Sequence, residues 1–488
     1  MPVTPRLAGR GYGAFTPPLP HRYRPPIPVK ARRTLVDTGP IGSPSSGPGP
    51  YPGAAPSGTI PVATTVQPLP TSPLRTTGTL FALWLMVFTA ASQTIVITPI
   101  LPLIGQELGE DPGRLGLLVS VYSWVLAFAA LVMGPVSDRI GRRRVLLFGS
   151  SALAVALALH HWADTFESLL AMRVLAGAGG GMLSGAAVSY VGDAFPYERR
   201  GWATGWVMSG VPFGLVIGIP LGRALAVAAG FRAPFVVFAG VMAVAFVLIL
   251  TVVPQPDVRL SEERPTVRGA LRLYRELLTT GGTAAAAATY FLMYFGLGLL
   301  IVYLPQWLTN RFALDVTVFG RPLAVFGLPL DLIATLFLVG GLVSVVVGPR
   351  AGALSDVLGR KPLILASCLG LALVTAALTF VVTERWVAYP LYAAIMGLFG
   401  LRAAPLQALL TALVPGRQRG AFLSLTIAVG QIGTGVGAAL GGVLYADLGY
   451  TSNTLASAAV LLAMAGLVWR WLPEPTAQAV DDPALVAR

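Results

Sequence analysis

Stretches of about twenty apolar residues, nearly free of charge, recur along this sequence from residue 78 to residue 472. A helix rises about 1.5 Å per residue, so about 20 residues cross a hydrocarbon core roughly 30 Å thick. A helix also satisfies its backbone polar groups internally, as lipid requires. Twelve such spans are predicted. They cover 78–101, 115–134, 145–162, 166–191, 202–224, 234–254, 283–305, 330–350, 362–383, 387–413, 421–444 and 454–472. Only 11% of residues are charged and 55% are hydrophobic, whereas a soluble domain carries about 25% charge. The fold class is therefore an all-α membrane protein.

Residues 1–76 are rich in Pro, Gly, Ser and Thr and lack apolar runs, so a disordered cytoplasmic tail is expected there. A start codon assigned too far upstream would produce such a tail, with Val62 or Val66 as alternative starts. Bundles are expected over 77–254 and 282–473, with a cytoplasmic linker at 255–281 and a short cytoplasmic tail at 474–488. The linker holds RPTVRGALRLYREL, an amphipathic helix suited to a membrane surface.

The two bundles repeat. GPVSDRIGRRRV at 134–145 matches GALSDVLGRKPL at 352–363, pairing Gly134, Ser137, Asp138, Gly141 and Arg142 with Gly352, Ser355, Asp356, Gly359 and Arg360. Further on, Pro196, Arg200, Gly214, Gly218, Gly222 and Gly230 meet Pro415, Arg419, Gly433, Gly437, Gly441 and Gly449. Leu101-Pro102 pairs with Leu304-Pro305 at a shorter offset, so about 15 residues are inserted after span 7. Repeats of this kind, related by a pseudo-two-fold along the membrane normal, place a substrate site at their interface.

Arginines follow spans 2, 4, 6, 8 and 10, from Arg139, Arg142, Arg143 and Arg144 to Arg417 and Arg419. The opposite loops carry only Arg114, Arg232, Arg311, Arg321 and Arg385, with Arg223 nearby. Positive loops stay cytoplasmic, so both termini are expected inside. The net charge of +13 is thereby read as topology, and nucleic acid is not expected as a partner. One cysteine, Cys368, and three histidines assemble no metal site, and no cofactor is expected. The near absence of lysine beside many arginines points to a bacterial inner membrane.

GPVSDRIGRR and its copy GALSDVLGRK resemble the loop between helices 2 and 3 of the major facilitator superfamily. That resemblance implies two six-helix bundles working by alternating access. It also implies a gating role for Gly134, Asp138, Arg139, Gly141 and Arg142, for Asp193 at the end of span 4, and for Asp356, Gly359 and Arg360. RVLAGAGGG, beginning at Arg173, is similar to that family's helix 4 pattern, whose arginine handles substrate or protons. Gly205, Gly214, Gly218 and Gly222 with Pro220 resemble the glycine spacing of its antiporter motif, with the proline displaced. That likeness points to the twelve-helix drug and sugar-efflux branch. Close helix packing is the plain reading of the same glycines.

An arginine inside a span is a functional candidate by default. Arg402 is the deepest charge, and Arg173 lies about two turns into its helix. Gln93, Tyr122, Tyr294, Gln407 and Gln431 are expected to share a substrate cavity with them. The substrate would be a small molecule, anionic or amphiphilic. No carboxylate falls near a span centre, and Gln93 stands where exporters of this family commonly carry an acid. Proton coupling is therefore doubtful, leaving coupling through Asp193 or Asp138, or facilitated diffusion. The expected function is a secondary active transporter, exporting small molecules as a monomer, and not an enzyme. A membrane enzyme on lipid-linked substrates and a transporter-like sensor or scaffold are the competing classes. The first would want clustered acids or histidines at one membrane face.

Overall fold

The computed structural model describes residues 73–256, 267–318, 321–325, 327–414 and 419–472. It contains twelve helices long and apolar enough to cross a membrane: spans 1–6 are Arg75–Leu108, Pro112–Met133, Arg142–Trp162, Phe166–Ala194, Arg199–Ala229 and Ala233–Val252. Spans 7–12 are Gly281–Arg311, Leu332–Ser355, Arg360–Val381, Arg385–Leu410, Ala421–Leu448 and Tyr450–Trp471. The loop after span 2, the linker after span 6 and both ends of the chain's bundles share one face, called here the arginine-rich face. The other is the far face. Most of the expected tail lies outside the described residues, but residues 73–76 are already helical. Span 1 starts there because proline is favoured in a first helical turn.

The repeated glycines have backbone causes. Gly141 and Gly359 connect spans 2 and 3 and spans 8 and 9 with φ of 94° and 90° and ψ of 142° and 151°. Side chains clash in that region, so only glycine enters it freely. Gly230 and Gly449 make the corresponding turns on the far face, with φ of 83° and 74°. Strain of about 1–3 kcal/mol is expected in Gly141→Ala. Its thermal midpoint in detergent should fall by several degrees, while Gly192→Ala, at a helical position with open space around it, should be neutral.

The other glycines let helices touch. A Cβ on Gly214 would meet Ser92 N at 3.0 Å, and one on Gly218 or Gly222 would overlap Ser92 or Val96. Span 5 thus lies directly on span 1. In the second half Gly433 sits 2.5 Å, Cβ to oxygen, from the carbonyl of Phe291, and Gly437 packs on Phe295. Span 11 lies on span 7 in the same way. Gly205 is a correction: a Cβ there meets nothing within 4 Å. Nine residues before Gly214, at 100° per residue, it falls on the opposite side of the helix. Gly210, four residues from Gly214, fills the place instead, 2.8 Å from Trp84 O and Phe88 N. Pro220 follows a π-helical turn over Gly214–Gly218, which relieves the clash of its ring with the preceding turn.

The amphipathic helix is Val267–Thr279. Leu277 is buried in the second bundle's core, with Leu273 and Tyr274 against it, while Arg272 and Arg275 are exposed. Its apolar face therefore rests on protein rather than lying in lipid, and burial raises the Tyr274 phenol above its usual value.

Candidate functional site

The expected substrate residues assemble as two sets, one per bundle. In the first, Arg173 of span 4 is fully buried. It donates through Nε to the carbonyl of Leu118 and through Nη1 to Gln93 Oε1, each at 3.3 Å. Its guanidinium lies 4.2 Å from the centre of the Tyr122 ring, and a cation over an aromatic face is attracted by the ring quadrupole. Tyr122 in turn shares a 2.9 Å hydrogen bond with Thr94. Arg173 Nη2 and Gln93 Nε2 are buried without a partner among the described residues. This set is rich in donors and contains no carboxylate.

The second set is built on spans 7, 9 and 10. Arg402 is 1% exposed. Its Nη1 lies 3.9 Å from Cys368 Sγ and its guanidinium 5.2 Å from the centre of the Phe399 ring. Its Nε has no partner among the described residues. Tyr294 stands edge-on to Phe399 at 6.4 Å and beside Tyr290 at 5.4 Å. Tyr290 Oη donates to Gln407 Oε1 at 2.9 Å. Gly430 lets span 11 approach both tyrosines, its Cβ position 2.9 Å from Tyr294. Gln431 beside it is half-buried and joins no hydrogen bond in this set. Sequence reasoning missed Cys368 and Phe399 as neighbours of Arg402. Phe399 is three residues before Arg402 on one helix, a spacing that puts them on one face.

At the arginine-rich face, Arg142 Nε donates to Asp193 Oδ2 at 2.9 Å, joining the span 2–3 loop to the end of span 4. Around it Arg143 donates to Leu250 O at 2.7 Å and Arg200 to Phe195 O at 2.9 Å. Arg139 is exposed. In the second half Arg360 Nη1 donates to the carbonyl of Ala408 at 3.3 Å. The residue that matches Asp193 in the repeat is Ala412, which carries no charge. Gly134 and the side chains of Asp138 and Asp356 lie outside the described side chains.

On the far face the structure holds a site that the sequence did not reveal. Arg223 of span 5 donates through Nη2 and Nε to Asp331 Oδ2, at 2.7 and 2.8 Å, and through Nη1 to the carbonyl of Pro99 at 2.8 Å. Asp331 Oδ1 also accepts from Ala334 N at 2.9 Å and caps span 8. Both residues are buried, at 1% and 9% exposure. One carboxylate thus ties the first bundle to the second. At a second crossing between the bundles, spans 2 and 11, Ser120 Oγ donates to Gly435 O at 2.6 Å. Gly116 of span 2 packs on Ala438 and Tyr303, and Gly442 of span 11 on Gly113. These contacts close the far face.

The family model for the Major Facilitator Superfamily matches residues 83–329 and again 287–485. The chain is 26% identical over 412 residues to the multidrug resistance protein MdtG of Erwinia billingiae (strain Eb661), covering 82% of this chain and 95% of that one. Over 124 residues it is 36% identical to the multidrug efflux pump LfrA of Mycolicibacterium smegmatis (strain ATCC 700084 / mc(2)155), covering 25% of each. The crystal structure of a D-xylose-proton symporter superposes with a TM-score of 0.66 at 16% identity, over 83% of this chain and 99% of that one.

Proposed function

The chain belongs to the major facilitator superfamily and is a secondary active transporter of small molecules in a membrane, and from that we propose that it exports amphiphilic compounds bearing an anionic or strongly polar group. The observation that carries the substrate class is Arg402, buried beside Tyr294 and Phe399 with a donor left open. Its fork suits a carboxylate or phosphate, and the rings suit an apolar body. Arg173, Tyr122 and Gln93 are the contribution of the first bundle in this reading. The direction rests on the full-length likeness to a protein named for multidrug resistance.

The arginine-rich face is cytoplasmic in this reading, and both termini lie inside. Each chain carries both bundles, so a monomer suffices. A single cysteine introduced in 267–279 should resist labelling from outside intact cells, and one in 312–318 should react. The reverse pattern would overturn the orientation. Export itself is tested in inverted vesicles with a panel of anionic and cationic fluorescent dyes. Accumulation of anionic amphiphiles supports the reading, and accumulation of cationic dyes alone overturns the substrate class.

Arg142 and Asp193 are the gating pair. They are joined here with the far face closed. Their side chains are 18% and 27% exposed, and such pairs contribute at most about 1 kcal/mol to stability. Asp193→Asn should therefore leave the thermal midpoint nearly unchanged while slowing transport several-fold. Wild-type transport by that variant would remove the gating role.

A further inference from the structure

The insertion after span 7 has no counterpart in the first bundle, where only Gly109–Asp111 separate spans 1 and 2. Its described residues form two short antiparallel strand pairs. Thr317–Val318 pairs with Arg321–Pro322, and Ala324–Val325 with Leu328–Pro329. Leu323 N donates to Val316 O at 2.9 Å, Leu330 N to Leu323 O at 2.8 Å and Leu332 N to Leu314 O at 2.8 Å. At its start the segment is anchored within the second bundle, where Arg385 Nη1 donates to Asp315 O at 2.9 Å. At its end it crosses onto the other bundle. Leu323, Leu328 and Leu330 pack with Ala224 of span 5 and Ala334 of span 8 in an apolar cluster of their own, apart from the main cores.

That cluster adjoins the buried ion pair on both sides. Ala224 follows Arg223, and Leu330 precedes Asp331. A carboxylate at the mouth of a span would ordinarily be wet, yet Asp331 is only 9% exposed. Excluding water strengthens an ion pair, because the local dielectric falls. We infer that this inserted strap is a latch: fixed to the second bundle and seated on span 5, it covers the Arg223–Asp331 pair, holds the far face closed and must lift from span 5 whenever that face opens. The bundles move as bodies in this kind of transporter, so a segment anchored on one and seated on the other restrains them only in the closed state.

The test needs no substrate, so its outcome stands apart from that of the proposed export activity. Spin labels at His161→Cys and Thr383→Cys, exposed far-face positions on opposite bundles, report their separation by double electron–electron resonance in the full chain. Leu328→Asp places a charge at the seat while leaving Arg223 and Asp331 in place. The far-face-open population should rise at least fivefold. In a second variant, Ala224→Cys with Leu328→Cys, oxidation should cross-link strap to span 5 and abolish the open population, and reductant should restore it. Folding of this variant is checked by its elution as a single symmetric peak in size-exclusion chromatography. Unchanged populations in Leu328→Asp, a pair that fails to cross-link in folded protein, or a cross-linked protein that still opens would each overturn the latch.

Discussion

Replacing Asp331 by asparagine is expected to turn the far face from closed to open. Arg223 is 1% exposed, and in the variant its guanidinium keeps only the carbonyl of Pro99 as a full partner. Breaking one side of a buried ion pair costs about 3–5 kcal/mol, because the remaining charge is left uncompensated. Parting the bundles lets water reach that charge, so the penalty acts on the closed state alone. A difference of that size moves a two-state equilibrium by roughly two to four orders of magnitude. Asparagine is the right replacement because its Oδ1 can still accept from Ala334 N and cap span 8, which separates the charge effect from loss of a helix end. The double variant Arg223→Met/Asp331→Asn removes both charges and should recover most of the closed population. The same far-face label pair reads both results. A closed far face in Asp331→Asn would show that the pair does not hold the bundles together.

The architecture was legible because lipid imposes it. Each of the twelve spans predicted from apolar runs overlaps one of the twelve long apolar helices, with ends shifted by up to several residues, as at Leu108 and Arg311. The repeated motif was legible because backbone geometry compels it: Gly141 and Gly359 occupy a region that other residues avoid. What failed was the inference of side-chain neighbours. Gly205 was grouped with Gly214 by spacing alone, although nine residues turn it away. Arg223 reads in the sequence as a charge near the opposite loops, and nothing in a linear sequence says that spans 5 and 8 meet across the bundles to pair it with Asp331. Of the residues expected to share a substrate cavity, the structure links Arg173, Gln93 and Tyr122 in one network and Tyr290 with Gln407 in another, with Gln431 outside both. Cys368 lies in an apolar run of the sequence, and only the packing of span 9 on span 10 brings it to Arg402.

The second large effect is expected at Arg402. An arginine in the membrane interior costs at least about 2.5–3.5 kcal/mol on insertion scales unless it is satisfied. Its span ends only eight residues on, at Leu410, yet the side chain does not reach for that end: it is 1% exposed. Its neighbours are a thiol at 3.9 Å and an aromatic ring at 5.2 Å, which are weak substitutes for an anion, and Nε is left open. A bound carboxylate or phosphate would supply the missing acceptors. Arg402→Ala removes charge and fork and should lower affinity for anionic dyes by at least a hundredfold. Arg402→Lys keeps the charge without the fork and should lose about tenfold, while binding of uncharged amphiphiles, held by Tyr294 and Phe399, should fall little in either variant. A structural arginine makes a different forecast. If Arg402 serves to fasten span 10 to span 9 through Cys368, then Cys368→Ala should destabilise the protein as much as Arg402→Ala does, and both should lower the thermal midpoint. Recognition instead requires that Arg402→Ala remain folded and lose anionic ligands selectively. Equal loss of charged and uncharged ligands, together with a large drop in thermal midpoint, would assign Arg402 to the scaffold rather than to the substrate.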